Sequence, residues 1–174
     1  MSLSHSIASP SIPGCASLLL TAALCSAPAW AGPTSAPFKA NLVTEETLGF
    51  DPVRCPTTGI VGTTTGTGDA SHLGAVKMVA TDCPVLVPGV VPSFSNGVLT
   101  LTGANGDRLT ANYQGVLHPV AGVPNLYSIA GDFIVTGGTG RLAGAKGSGY
   151  LQGTITLGPL VSKGQYQVTG VLSY

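Results

Sequence analysis

Val98-Leu99-Thr100-Leu101-Thr102-Gly103-Ala104-Asn105-Gly106-Asp107-Arg108-Leu109-Thr110-Ala111-Asn112-Tyr113 is the stretch that decides the fold. On both sides of Asn105-Gly106 the apolar period is two, which puts alternate side chains on opposite faces of an extended strand. Asn-Gly accepts the positive φ angles of a tight hairpin, so two antiparallel strands joined by a short loop are the simplest structure.

The same pattern extends in both directions. Residues 126–136 run into Gly137-Gly138-Thr139-Gly140, the chain returns through 147–157, and 164–174 alternates again. Upstream, 38–48, 58–67 and 73–81 read as strands, the second rich in threonines that suit a pleated surface. Eight antiparallel strands with sequential connections close most simply into a β-barrel, which leaves no exposed edge; a two-sheet β-sandwich is the alternative. Glycines inside strands, such as Gly62 and Gly153, allow the bends that closure requires.

Alternate loops of an up-and-down barrel share an end. Tight glycine turns at 66–69, 105–106 and 137–140 fall at one, and the longer connections 49–57, 82–95, 117–125 and 158–162 at the other. The longer loops hold Cys55 and Cys83 and are apolar, with Leu86, Val90, Val123 and Leu160 as candidate ligand-binding residues at the barrel mouth. Connectors normally face water, so such loops either form an interaction site or fold inward as a plug.

The chain has 174 residues, 7 Lys+Arg against 7 Asp+Glu, 8% charged residues and 44% hydrophobic residues. That balance provides no basic face for nucleic acid, and its hydrophobicity is the reverse of a disordered chain. No charged residue precedes Lys39, and the apolar run Ala16 to Ala31 ends in Ala29-Trp30-Ala31, where a signal peptidase cuts after A-x-A. The run is too short to span a membrane. The expected organisation is therefore a signal peptide at 1–31 and a single barrel domain at 32–174, secreted or periplasmic. Cys55 and Cys83 are the two cysteines left after cleavage, and an even pair in an exported chain points to a disulfide rather than a metal site.

Motifs for catalysis are sparse. Gly138-Thr139-Gly140-Arg141-Leu142-Ala143 fits a dinucleotide fingerprint, but Gly144, Gly147 and Gly149 follow where a helix should begin, so it reads as a turn. No G-x-S-x-G or HExxH occurs, and neither a cofactor nor a metal is implied. Glu45 and Glu46 are adjacent and must point to opposite faces of the first strand, so one at most looks inward. His72 and His118 read as a face residue and a loop residue, and the strand tyrosines as packing.

Ile134-Val135-Thr136-Gly137-Gly138-Thr139-Gly140-Arg141-Leu142-Ala143-Gly144-Ala145-Lys146-Gly147 resembles the T-G-G-[ST]-G-x-[FL]-x-G-A-x-G stretch of the allene oxide cyclase and dirigent-like barrels, in the manner of a bacterial-type secreted member. The resemblance covers residues 98–174, and the first half by strand order. It implies the barrel fold, an interior for an apolar, oxylipin-like substrate, a homo-oligomer, and Glu45 as the assisting first-strand glutamate. The acidic and tyrosine set of the dirigent proteins has no counterpart motif here. The sequence is thus read as an exported barrel that binds a small apolar ligand or a surface partner. An isomerase or cyclase working inside the barrel is one alternative, and a structural or adhesive envelope protein is another.

Overall fold

The computed structural model describes residues 35–174, so the expected signal peptide lies outside the described residues. Eight strands follow one another: β1 (Ser35–Phe50), β2 (Ile60–Ala70), β3 (Gly74–Val85), β4 (Ser93–Gly103), β5 (Arg108–Pro119), β6 (Leu126–Gly138), β7 (Lys146–Thr156) and β8 (Ser162–Ser173). Each pairs antiparallel with its sequence neighbours, and β8 returns to β1, closing the barrel. The sandwich alternative is excluded by that closure.

Several strands run beyond the sequence reading, β1 to Phe50 and β4 from Ser93 among them, and three boundaries bear on the site. Gly66 to Asp69 form no turn; β2 continues to Ala70, and the reversal is made at Ser71-His72-Leu73, where His72 has φ 67°. Gly66 and Gly68 are needed within the sheet, because a methyl group on Gly66 would lie 2.7 Å from the Val43 carbonyl oxygen and one on Gly68 would strike Asn41. β3 runs on to Val85, so Cys83 belongs to a strand, at a register break between Thr81 and Cys83. β5 likewise runs to Pro119, within the expected 117–125 loop.

The barrel is filled at one end only. At the tight-turn end, Leu142 of a short 3-10 helix (Gly140–Leu142) drops into the interior beside Leu73, Leu109 and Leu172. Phe38 and Phe133 meet edge to face above this plug, with centroids 6.1 Å apart. Gly149 and Gly170 leave room for the Phe133 ring, which a methyl group on either would approach to 2.7 and 2.9 Å. Towards the long-loop end the wall is the smaller cluster Leu117, Ile129, Leu151 and Ile155, and nothing comparable fills the centre.

The 51–59 loop is built round Asp51, whose carboxylate accepts the backbone N–H groups of Val53 and Arg54 at 3.1 and 3.0 Å. Cys55 of this loop forms a disulfide with Cys83, with Cα atoms 5.4 Å apart. The bridge ties the β1–β2 connection to β3 beside the open end. Replacing both cysteines by serine is expected to cost about 2–4 kcal/mol, read as a lowered midpoint in urea unfolding.

Candidate functional site

Period two along β1 sends Phe38, Ala40, Leu42 and Thr44 into the barrel, and the next residue of that set is Glu46. Glu45 faces outward instead, half-solvated in an ion pair with Lys163 at 3.6 Å. The inward acid of the first strand is therefore Glu46 and not the candidate Glu45, because parity counted from the buried Phe38 fixes the face.

On β3 the inward set Val76, Met78, Ala80 reaches Asp82, which is 5% exposed. β2 lies between β1 and β3, and a side chain on it would ordinarily separate their side chains. Gly62 pairs with Leu48 on one side and Asp82 on the other, and it has no side chain. A methyl group there would lie 2.5 Å from Oε1 of Glu46 and 2.8 Å from Oδ1 of Asp82, so both carboxyl oxygens converge on the space that Gly62 leaves.

The two acids differ in their partners. The Tyr113 hydroxyl donates to Oδ2 of Asp82 at 2.6 Å, and Oδ1 has no hydrogen-bond partner among the described residues. Arg54 adds positive charge near Asp82, and its Nη2 donates to the carbonyls of Thr81 (3.0 Å) and Asn96 (2.8 Å). Burial raises the Asp82 carboxyl above its ordinary value, against the lowering by Tyr113 and Arg54. Burial and the nearby Asp82 push Glu46 up to about 7. Like charges held together resist double ionisation, and the donor and the cation favour Asp82 over Glu46 as the first of the two to ionise, while Glu46 holds its proton up to about 7. Burial, with the neighbouring carboxylates, also pushes the Tyr113 and Tyr166 hydroxyls up, so both remain neutral donors. Tyr166 shares a hydrogen bond with Thr44, one step down β1 from the acid pair.

Glu46, Asp82, Tyr113 and Tyr166 line a cavity of about 90 Å³ in the open half of the barrel. Its walls are otherwise mostly apolar, with Met78 and Leu99 among them, Leu117 and Ile129 on the long-loop side and Leu48 and Leu86 towards the rim; Thr64 and Ser162 are the other polar side chains of the lining. Of the four expected mouth residues only Leu86 lines it. Val90, Val123 and Leu160 are exposed on their loops and do not line the cavity that Leu86 borders. The mouth is thus neither wholly plugged nor ringed by all its apolar loops.

His72 lies at the opposite, closed end, its Nε2 at 3.0 Å from the Pro37 carbonyl and its Nδ1 at 3.1 Å from the Tyr174 hydroxyl. Arg141 of the glycine turn is paired with Asp107 there at 2.9 Å, which explains the turn as structure. Sequence reasoning missed Glu46, Asp82, Arg54 and the two inward tyrosines. For Glu46 the signal was present in the alternation from Phe38; Asp82 was hidden by its assignment to a loop.

No family model matches the chain, and no curated protein matches it. Among solved structures, a pterocarpan synthase dirigent protein is similar at 12% identity, over 89% of this chain and 98% of that one, with a TM-score of 0.44. That likeness is one of fold and carries nothing about activity. The closed eight-stranded barrel, established by its own strand pairing, is consistent with the dirigent-like fold that the glycine turn implied. No helix among the described residues is long and apolar enough to cross a membrane.

The acid pair makes stability depend on pH with a defined sign. Glu46 binds its proton more tightly folded, at about 7, than unfolded, at 4.5. Its contribution is therefore full below pH 4.5 and declines as pH rises towards 7, by at most about 3 kcal/mol. Glu46→Gln should remove most of this slope in urea unfolding at pH 4.5 to 7.5; an unchanged slope would refute the buried proton.

Proposed function

We propose that the open half of the barrel binds a small, largely apolar molecule carrying one hydrogen-bond-accepting group, which Glu46 protonates or donates to. The observation that carries this reading is the convergence of Glu46 and Asp82 over Gly62 inside an apolar cavity. Apolar walls supply affinity and a few converging polar groups fix orientation, the usual construction of a small-molecule site. The protein works outside the cytoplasm in this reading, supported by the A-x-A segment at 29–31 and by the Cys55–Cys83 disulfide.

One feature favours an isomerase or cyclase over simple binding. Glu46, which holds its proton up to about 7, beside Asp82, whose anion Tyr113 and Arg54 favour and whose Oδ1 has no partner among the described residues, would serve as acid and base on one substrate. For a ketone, Glu46 would donate its proton to the carbonyl oxygen while Asp82 took a proton from the α-carbon, giving the enol. Reversal returns both protons, and in heavy water it leaves deuterium at the α-carbon.

The test uses 2-butanone, followed by calorimetry and by proton NMR in heavy water. Affinity should be level below pH 7 and fall about tenfold per pH unit above it, as the donor proton is lost. Glu46→Gln should flatten that profile, and Asp82→Asn should abolish α-deuteration while leaving binding. Binding that ignores pH from 5 to 9 would overturn the role of Glu46; binding without deuteration leaves a carrier and excludes the enzyme.

A further inference from the structure

The inward stripe of β1 does not stop at Glu46. Leu48 and Phe50 continue its parity, yet they are 51% and 78% exposed, because β1 and β2 project beyond the rim of the barrel. Ile60 pairs with Phe50 at the tip of this overhang. The ring of Phe50 lies against the loop backbone at Gly59, where a methyl group would be 2.8 Å away, and lines a groove at the rim. Opposite, the inward stripe of β3 continues past Asp82 through Pro84 to Leu86, with Val87 beyond.

Between these two overhangs runs a groove of about 580 Å³. Leu48, Pro84 and Leu86 line both this groove and the cavity, so one apolar surface passes from the acid pair over the rim to Phe50 and Val87. The cavity alone, at about 90 Å³, is well short of the roughly 300 Å³ at which sites for organic ligands begin. Anything larger that reaches Glu46 must leave part of itself outside, and the groove is the apolar continuation available to it. Its lining includes Thr57 and Thr58 but no charged side chain, which suits a hydrocarbon and not an ionic tail.

We propose that this groove is a second subsite, for the unbranched hydrocarbon tail of an elongated ligand whose polar, proton-accepting end lies at Glu46. The inference rests on the reading of the cavity as a ligand site. The ligand class is then a single-chain aliphatic carbonyl or similar neutral acceptor, longer than the cavity.

The experiment measures affinity by calorimetry for the 2-alkanones from 2-butanone to 2-dodecanone, with wild-type protein and with Phe50→Ser/Val87→Ser. In the wild type affinity should rise about two- to fourfold per added methylene through the long members. The variant should bind 2-butanone unchanged, which also shows that it is folded, and lose the increments of the long members. Should the double variant fail to bind the short ketone, Val87→Ser alone carries the comparison. A wild-type series that levels off with the short members would overturn the tail subsite while leaving the cavity reading intact; no binding at any length would overturn both. If the wild type sediments as a dimer, the variant as a monomer, and their ketone series coincide, the groove is an interface between copies and the proposal fails.

Discussion

Two carboxyl groups in one apolar cavity cannot both ionise without a large penalty, and Glu46 and Asp82 are held in that position by the backbone itself. β1 and β3 are separated by β2, and the acids meet across it because Gly62 has no side chain to part them. The pair therefore depends on strand register rather than on flexible side chains finding each other. A slip of one residue between β1 and β2 would turn Glu46 to solvent and put Glu45 inside.

The rest of the molecule maintains that register and that apolar surrounding. Closure through β8 and β1 fixes β1 on both edges, since Glu46 pairs with Thr64 on one side and Ser162 on the other. The plug round Phe133 and Leu142 fills the tight-turn end, so the cavity that the acids line lies in the other half of the barrel. The disulfide holds the loop that carries Arg54 against β3, where the guanidinium bridges the carbonyls of Thr81 and Asn96 on either side of the β3–β4 irregularity. Asp82 follows Thr81 directly, so the cation that favours its charge is anchored to the same short segment.

The architecture was legible because it is written in short-range alternation: eight runs of period two, broken by glycine and Asn-Gly, yield strand number and order without knowledge of long-range contacts. The cysteine pair was legible by count, since Cys55 and Cys83 are the two left in the expected mature chain, although Cys83 stands in β3 and not in a loop. The site was less so. Asp82 stands beside Cys83 and Pro84, where proline and the register break obscure the strand, and its approach to Glu46 depends on Gly62, opposite it on the preceding strand. Glu46 could have been found by counting from Phe38, whereas Tyr113 meets Asp82 across β4, where its ring lies over Gly97 and a methyl group would come within 2.6 Å of it, a juxtaposition that depends on register.

The proton on Glu46 is the point from which the proposed binding, the proposed acid chemistry and the pH dependence all follow, and its titration is directly observable. Carboxyl carbon NMR of the folded protein, with Glu46 assigned by its loss in Glu46→Gln, gives the titration of that one group. A midpoint near 7 is expected from burial beside Asp82. A midpoint at the ordinary glutamate value of about 4.3 would contradict the buried acid pair.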